Sequence, residues 1–260
     1  MVNARDGLDD ALTPWKRLGF MMTPRGRHML GSNNHLAVCG TNYLKSLGVQ
    51  LGSMCTGVLD WPAGLNGLAF KINDADATYG GIHAAGLPAQ AFFQPVEALG
   101  ESQDAAFRTV GIERNAALSG CVFFCQHLTP GLVWNGSWQR HGNGALGLSR
   151  ATIAAEDPAG PASLLSRMFG WNAVPRRDYG DSMAAGLAQV AILTPDALRA
   201  EFAGAAPAAD GRTAWMAVPT RRTASLDSAA AALAGLPVRR PAGIVVSASG
   251  LGGLTLMFRD

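Results

Sequence analysis

Lysine is nearly missing from this sequence. Lys16, Lys45 and Lys71 are the only three, so arginine supplies almost all of the 21 basic side chains. No block of five or more basic residues occurs, and the pairs Arg176-Arg177, Arg221-Arg222 and Arg239-Arg240 read as solvated surface. With a net charge of only +2, the chain lacks the footprint of a nucleic-acid or membrane-surface partner. No apolar run reaches the ~18 residues of a membrane span. The N-terminal MVNARDGLDDALTPW is acidic and has no signal-peptide core. The expected location is therefore the cytoplasm, where thiols stay reduced. Cysteines are few: Cys39, Cys55, Cys121 and Cys125. Cys121 and Cys125 lie in GCVFFCQH, a β-type run in which four residues span about 13 Å, beyond disulfide reach. All four read as buried free thiols. No nucleophile elbow, zinc-finger spacing or Walker sequence is present, and GLGG at 250–253 runs into the strand-like LTLMF rather than a helix.

What the chain has is a recurring pattern. Only 15% of it is charged and 48% is hydrophobic, enough for one large core or two of ordinary size. A short apolar run ends in Asp, Ser or Thr, an amphipathic helix follows, a glycine stops it, and further strand-like runs come next. The first copy is VNARD, with a helix from near Asp6 carrying Leu8, Ala11, Leu12, Trp15 and Leu18 to Gly19. The second is LAFKIND, with a helix through Ala77, Ile82 and Ala85 to Gly86. The third is LSRATIAAEDP, where Asp157 caps and Pro158 opens a helix ending at Gly170. The fourth is TAWMAVPT, with a helix after Ser225. Strand candidates after them include HLAVC and NYLKSLGV, then AFRTVGIE and CVFFCQHL, then AVPRRDYG and LAQVAIL, then PVRR, AGIVVSAS and LTLMF. TPDALRAEFAG reads as an extra helix capped by Thr194 with Pro195 at its start. The pattern is β-α-β-β-β, four times, at intervals of about 60–80 residues, too long for a solenoid. The expected fold class is α+β, with modules pairing their sheets around a shared core. The halves are 1–140, two modules with a shortened first strand, and 141–260, two degenerate modules; the junction falls in WNGSWQRHGNGA.

The pieces LGFMMTPRGRHMLGSNNHLAVCGTNYLKSLGV, FRTVGIE and FFCQHLTPGLVWNGSWQRHGNGALGLSRATIAAEDP resemble, in that order, the glyoxalase-like branch of the vicinal oxygen chelate superfamily. The resemblance covers residues 1 to about 170; beyond that only element order matches. It implies cupped half-barrel sheets around a small-molecule pocket. It implies no single reaction, since one fold hosts many chemistries. Catalytic members hold a divalent metal through a His on a module's first strand and a Glu on its last, leaving positions open for substrate oxygen. The His position lies seven residues before the Asp that ends the first strand. Here it falls ahead of Met1, on Gly67, on Arg150 and near Ala214. The strand needs about five residues and MVNARD enters it partway, so the expectation is a misassigned start. Where relatives often read YLEL on the last strand, this chain reads Tyr43-Leu44-Lys45-Ser46, and an ammonium has no lone pair for a metal.

Lys45 and His127 are accordingly the candidate catalytic residues, with Lys45 favouring anionic ligands and His127 at the cup mouth as ligand contact or general acid/base. The competing reading of Lys45 is a strand-edge lysine reaching solvent. If Gly40-Thr41-Asn42 is a three-residue loop, His35, Tyr43 and Lys45 share one face; a two-residue loop places His35 and Lys45 on opposite faces. His28, His35, Tyr43, Cys125, Gln126 and Arg150 complete the candidate ligand contacts, His28 with Arg25 and Arg27 at a basic rim. His141 reads as structural, His83 as a helix-back residue, and Trp134 and Trp138 as packing or as cover for a pocket edge. The functional expectation is a protein binding a small anionic organic molecule without the usual metal ligands. It would sequester the ligand or run metal-free acid/base chemistry. The alternative is a metal-dependent lyase, isomerase or extradiol-type dioxygenase whose divalent metal needs the missing His. The expected partner is the small molecule alone, neither nucleic acid nor membrane, and a homodimer is compatible with the chain.

Overall fold

The computed structural model describes residues 1–5, 7–28, 32–49, 60–98, 105–113, 116, 120–170, 176–177, 180–233, 236, 238–239, 243–248, 251 and 253–260. The first module consists of β1 (Val2–Arg5), α1 (Leu8–Arg17), β2 (Gly26–His28), β3 (Ser32–Cys39) and β4 (Asn42–Val49). A short β5 (Gly64–Leu65) precedes the second, made of β6 (Gly67–Ile72), α2 (Ala75–Ala84), β7 (Ala89–Ala98), β8 (Ala105–Ile112) and β9 (Cys121–His127). The third has β10 (Ala145–Ala155), α3 (Ala159–Phe169), β11 (Arg176–Arg177), β12 (Gly180–Ala185) and β13 (Ala188–Leu193), and α4 (Pro195–Phe202) follows it. The fourth has β14 (Ala214–Thr223), α5 (Leu226–Ala232), β15 (Val238–Arg239), β16 (Ile244–Val246) and β17 (Leu256–Arg259). The fourfold β-α-β-β-β pattern is thus present.

Local chemistry places the helix starts. Asp74, Thr194 and Ser225 are extended residues whose side chains accept from Ala77, Ala197 and Ser228 amides, filling donors that a first helical turn leaves open. At α3 the helix begins one residue later than its sequence suggests: Pro158 is the cap, while the Asp157 carboxylate still accepts from Ala159 N. The stretch FMMTPRGRH is a strand only at Gly26–His28. The expected start of α1 at Asp6 lies outside the described residues.

The two halves assemble their modules differently. In the first, strand order is β5-β1-β4-β3-β2-β7-β8-β9-β6, and the modules join antiparallel through β2 and β7. β5 and β6 sit at opposite ends of that order, yet only Asn66 separates them in sequence. The ends of the sheet therefore meet, with Asn66 N–H donating to the Met1 carbonyl at 3.0 Å. The cup becomes a barrel. In the second half the order is β11-β12-β13-β10-β14-β17-β16-β15, joined through the antiparallel first strands β10 and β14. Among the described residues no pairing joins β11 to β15, and over them this sheet is open.

The main core lies between barrel and open sheet. Leu18 and Phe20 of the first module are buried with Ile153 and Phe258 of the second half, Phe20 and Phe258 stacking at 6.0 Å between centroids. A second cluster packs α4, through Leu198 and Phe202, on the other sheet face against Trp215 and Met257. Gly19 ends α1 with φ +75, where a Cβ would lie 2.9 Å from Asn143 N, so glycine is required on both counts. No described helix is long and apolar enough to cross a membrane.

Candidate functional site

Strand alternation divides each barrel strand between the lumen and the outer core. On β6, Leu68 and Phe70 face outward, Phe70 meeting Phe169 of α3 at 4.8 Å; Gly67, Ala69 and Lys71 alternate with them. On β9, Val122 and Phe124 are core residues, while Cys121, Phe123, Cys125 and His127 alternate with them along the cavity. On β4, Tyr43, Lys45 and Leu47 line it. The resulting cavity measures about 940 Å³.

Lys45 therefore projects into the barrel lumen. Its Nζ stands 2.9 Å from His28 Nε2, which the Asn34 amide also reaches at 2.8 Å. An ammonium can only donate, so His28 accepts at Nε2 and carries its proton on Nδ1. Burial, then the Lys45 charge, holds His28 neutral, its pKa pushed down to about 2. A similar arrangement stands at the barrel end formed by β9. The Tyr43 hydroxyl lies 3.2 Å from His127 Nε2. Burial raises the Tyr43 phenol well above its ordinary range, so it stays protonated and donates, and His127 too is an Nδ1–H tautomer. His127 is held down to about 4 by burial and then by Lys71, against a hydrogen bond with the Cys125 backbone. The Trp134 ring lies 4.5 Å from the His127 ring, with Lys71 Nζ 4.9 Å from the Trp134 ring centroid. Burial pushes the Cys125 thiol up to about 11, Lys45 opposing, which keeps it a thiol. Two buried donors in this lining, His28 Nδ1 and Trp134 Nε1, have no hydrogen-bond acceptor among the described residues, and His127 Nδ1–H meets only the Cys125 backbone.

His28, Tyr43, Lys45, Cys125 and His127 thus share one cavity. Three other expected contacts do not. The β3–β4 register pairs Cys39 with Asn42 and His35 with Ser46, so the loop is the two-residue Gly40-Thr41. That puts His35 on the outer face, where Nδ1–H donates to the Thr23 carbonyl at 2.8 Å and Nε2 is 4.0 Å from Asp9. Gln126 also faces outward. Its amide accepts from Ala75 N at 3.1 Å and donates to Asn73 O at 2.7 Å, seating the start of α2. Arg150 pairs with Glu201 over the Phe202 ring, on the α4 side of the open sheet. His141 bridges segments: Nδ1 accepts from Met21 N at 3.0 Å and Nε2–H donates to Val38 O at 2.7 Å.

Lys71 and Asn34 were not among the expected contacts. Lys71 had a readable signal, being four residues from Gly67 on a strand and hence on the same face. Asn34 depended on the loop length that also misplaced His35.

The metal positions implied by the resemblance can be tested against this lining. Lys45 stands where a carboxylate would, Gly67 where a His would, and the Nε2 atoms of His28 and His127 already accept hydrogen bonds. No Asp or Glu occurs among the described lining residues, and no cluster of three His, Cys, Asp or Glu side chains able to hold a metal occurs among the described residues. The residues present do not fit the metal.

The barrel of paired modules and the cavity in it define a vicinal-oxygen-chelate fold. The chain belongs to the glyoxalase-like domain family, whose model matches residues 1–169. Among solved structures, a hypothetical protein from Staphylococcus aureus is similar over 99% of this chain and 96% of its own, at 10% identity and TM-score 0.71. A variant of 4-hydroxymandelate synthase from Streptomyces coelicolor aligns over 99% and 90%, at 13% identity and TM-score 0.58. The 2,3-dioxygenase LapB from Pseudomonas sp. KL28 aligns over the same shares, at 12% identity and TM-score 0.59. At such identities the likeness is one of fold alone. No curated protein matches the sequence.

Proposed function

We propose that this glyoxalase-like protein binds a small organic anion in its barrel cavity without a metal. One observation carries the reading: the buried N–H donors of His28 and Trp134 have no acceptor among the described residues, in a lining that also presents Lys45 and Lys71. A buried donor left unanswered costs about 1–3 kcal/mol, so an acceptor-rich ligand recovers that cost while meeting two positive charges. Holding a ligand is better supported than abstracting a proton from it. The basic nitrogen of His127 is engaged by Tyr43 and that of His28 by Lys45, so both rings offer donors. The alternative, a metal-dependent reaction, would need ligands that this lining lacks among the described residues.

The test is calorimetric titration of the full chain with benzoate and with benzyl alcohol, its neutral counterpart. Benzoate binds measurably and benzyl alcohol does not; Lys45→Met and Lys71→Met each weaken benzoate about tenfold or more, as expected for loss of a charged hydrogen bond. Equal binding of the two probes, or a stoichiometric divalent metal in protein purified without chelator, overturns the reading.

A further inference from the structure

We infer that the ligand is an elongated amphipathic anion, its charged head in the barrel near Lys45 and Lys71 and its apolar body in the cleft between the barrel and the open sheet. The inference rests on the proposed anion-binding reading and adds the shape and polarity of the rest of the molecule.

The cavity is one space with two chemistries. At about 940 Å³ it stands at the upper end of small-molecule sites, more than a compact anion fills. It also takes in residues from both faces of β6: Lys71, on the lumen side, and Leu68 and Phe70, on the outer side. The sheet order explains how. β6 is hydrogen-bonded to β9 along one edge, and past Gly67 its other edge carries no strand among the described residues. The space continues around that edge from the lumen into the cleft, where Ala151, Phe169, Leu187 and Val190 line it. All the described cationic side chains in the lining, Arg25, Lys45 and Lys71, belong to the barrel modules, and the open sheet contributes none.

A second observation concerns exposure. Leu187, at the tip of the β12–β13 hairpin, is 75% exposed and Phe169 40%, and both belong to this cleft. Large apolar side chains held open beside a cavity, continuous with a cationic pole, fit the body of an amphipathic ligand. A polar or compact anion would leave them in water.

The experiment compares hexanoate, octanoate and decanoate with benzoate and 1-decanol, by calorimetry on the full chain. Affinity is expected to rise roughly fourfold per methylene along the acid series, the factor for moving a CH₂ from water to an apolar wall. Decanol should bind at least tenfold more weakly than decanoate. Ala151→Phe fills the cleft from β10 and should flatten the series. Ala188→Trp does the same from the partly exposed hairpin, and serves if the buried replacement fails to fold. Benzoate binding that depends on Lys45, with an acid series of constant affinity, overturns this inference and leaves the anion-binding reading standing. Decanol matching decanoate removes the charged head from the inference. Absence of binding by benzoate and by every alkanoate overturns both.

Discussion

Lowering the pH from 7 to 5 should cost this protein several kcal/mol of stability, through His28 and His127. Both are neutral in the fold. The pKa of His28 falls from 6.5 to about 2 and that of His127 from 6.5 to about 4, burial being the first cause in each and the neighbouring lysines the next. The unfolded chain therefore takes up protons before the folded one does. Stability from these groups is present in full above 6.5 and is lost as pH falls through the window between 6.5 and the folded values. At pH 5 each ring lies about 1.5 units below its unfolded value and still above its folded one, a loss of roughly 2 kcal/mol per ring relative to pH 7. Together they give a ceiling of roughly 4 kcal/mol, a large share of the 5–15 kcal/mol typical of a folded domain.

Urea unfolding at the two pH values, followed by tryptophan fluorescence, measures this directly. The slope against urea should stay constant while the midpoint drops. The carboxylates of Asp9 and Asp76, held low mainly by hydrogen bonds from Arg25 and Arg108, lose their contribution as pH falls below about their ordinary pKa, outside the pH 7 to 5 comparison. The double variant His28→Asn, His127→Asn should lose most of the pH dependence. A residue of the same sign remains from His141, which burial also holds low. A wild-type loss below about 1 kcal/mol, or a double variant as pH-sensitive as the parent, refutes the assignment of buried neutral histidines.

Three further outcomes follow from single contacts. Arg221, expected from the sequence on solvated surface, is instead fully buried beside the Cys39 thiol, with Nη1 3.3 Å from Asn42 Oδ1 and no acceptor among the described residues for Nε or Nη2. Arg221→Met should therefore be neutral to stabilising, up to about 2 kcal/mol, and a calorimetric Tm several degrees lower would show that the guanidinium has a counter-ion. His141→Ala strands the Met21 N–H and the Val38 carbonyl and should destabilise by about 2–4 kcal/mol in urea; a smaller loss would mean that water replaces the ring. At Gly64, φ is +124 and a Cβ would sit 2.6 Å from the Gly253 carbonyl oxygen, so Gly64→Ala should cost about 2 kcal/mol or more by the same urea measurement.

The module plan was legible because it rests on local chemistry. Capping residues at Asp74, Thr194 and Ser225, glycine stops and alternating strands each act within a few residues. Lys45 was legible for the same reason: its strand fixes which neighbours share its face. What local pattern does not fix is the absolute phase between strands. One residue of loop length at Gly40-Thr41 decided whether His35 joined Lys45 or opposed it, and both loops suit the sequence. Gln126 and Arg150 failed differently. Each is answered by a partner distant in sequence, the start of α2 and Glu201, and no periodicity announces such partners. The differing junctions, β2 with β7 and β10 with β14, also lay beyond reach, since the two halves carry the same module pattern.

The site's chemistry turns on the phase of its two inward histidines. An imidazole can offer either a lone pair or a proton, and its other contacts decide which. A metal site needs lone pairs. In this barrel the lone pair of His28 accepts from Lys45 and Asn34, and that of His127 accepts from Tyr43. One exchange, an ammonium at the position where the family resemblance implies a carboxylate, thus acts twice. It puts a cation in place of an acceptor, and it occupies the lone pair of the neighbouring His28, which leaves that ring a proton to donate. Burial reinforces the result, because a low-dielectric lumen beside two lysines disfavours a third charge on either ring. On the proposed reading, the lumen would then meet a ligand oxygen with its own amine and N–H groups.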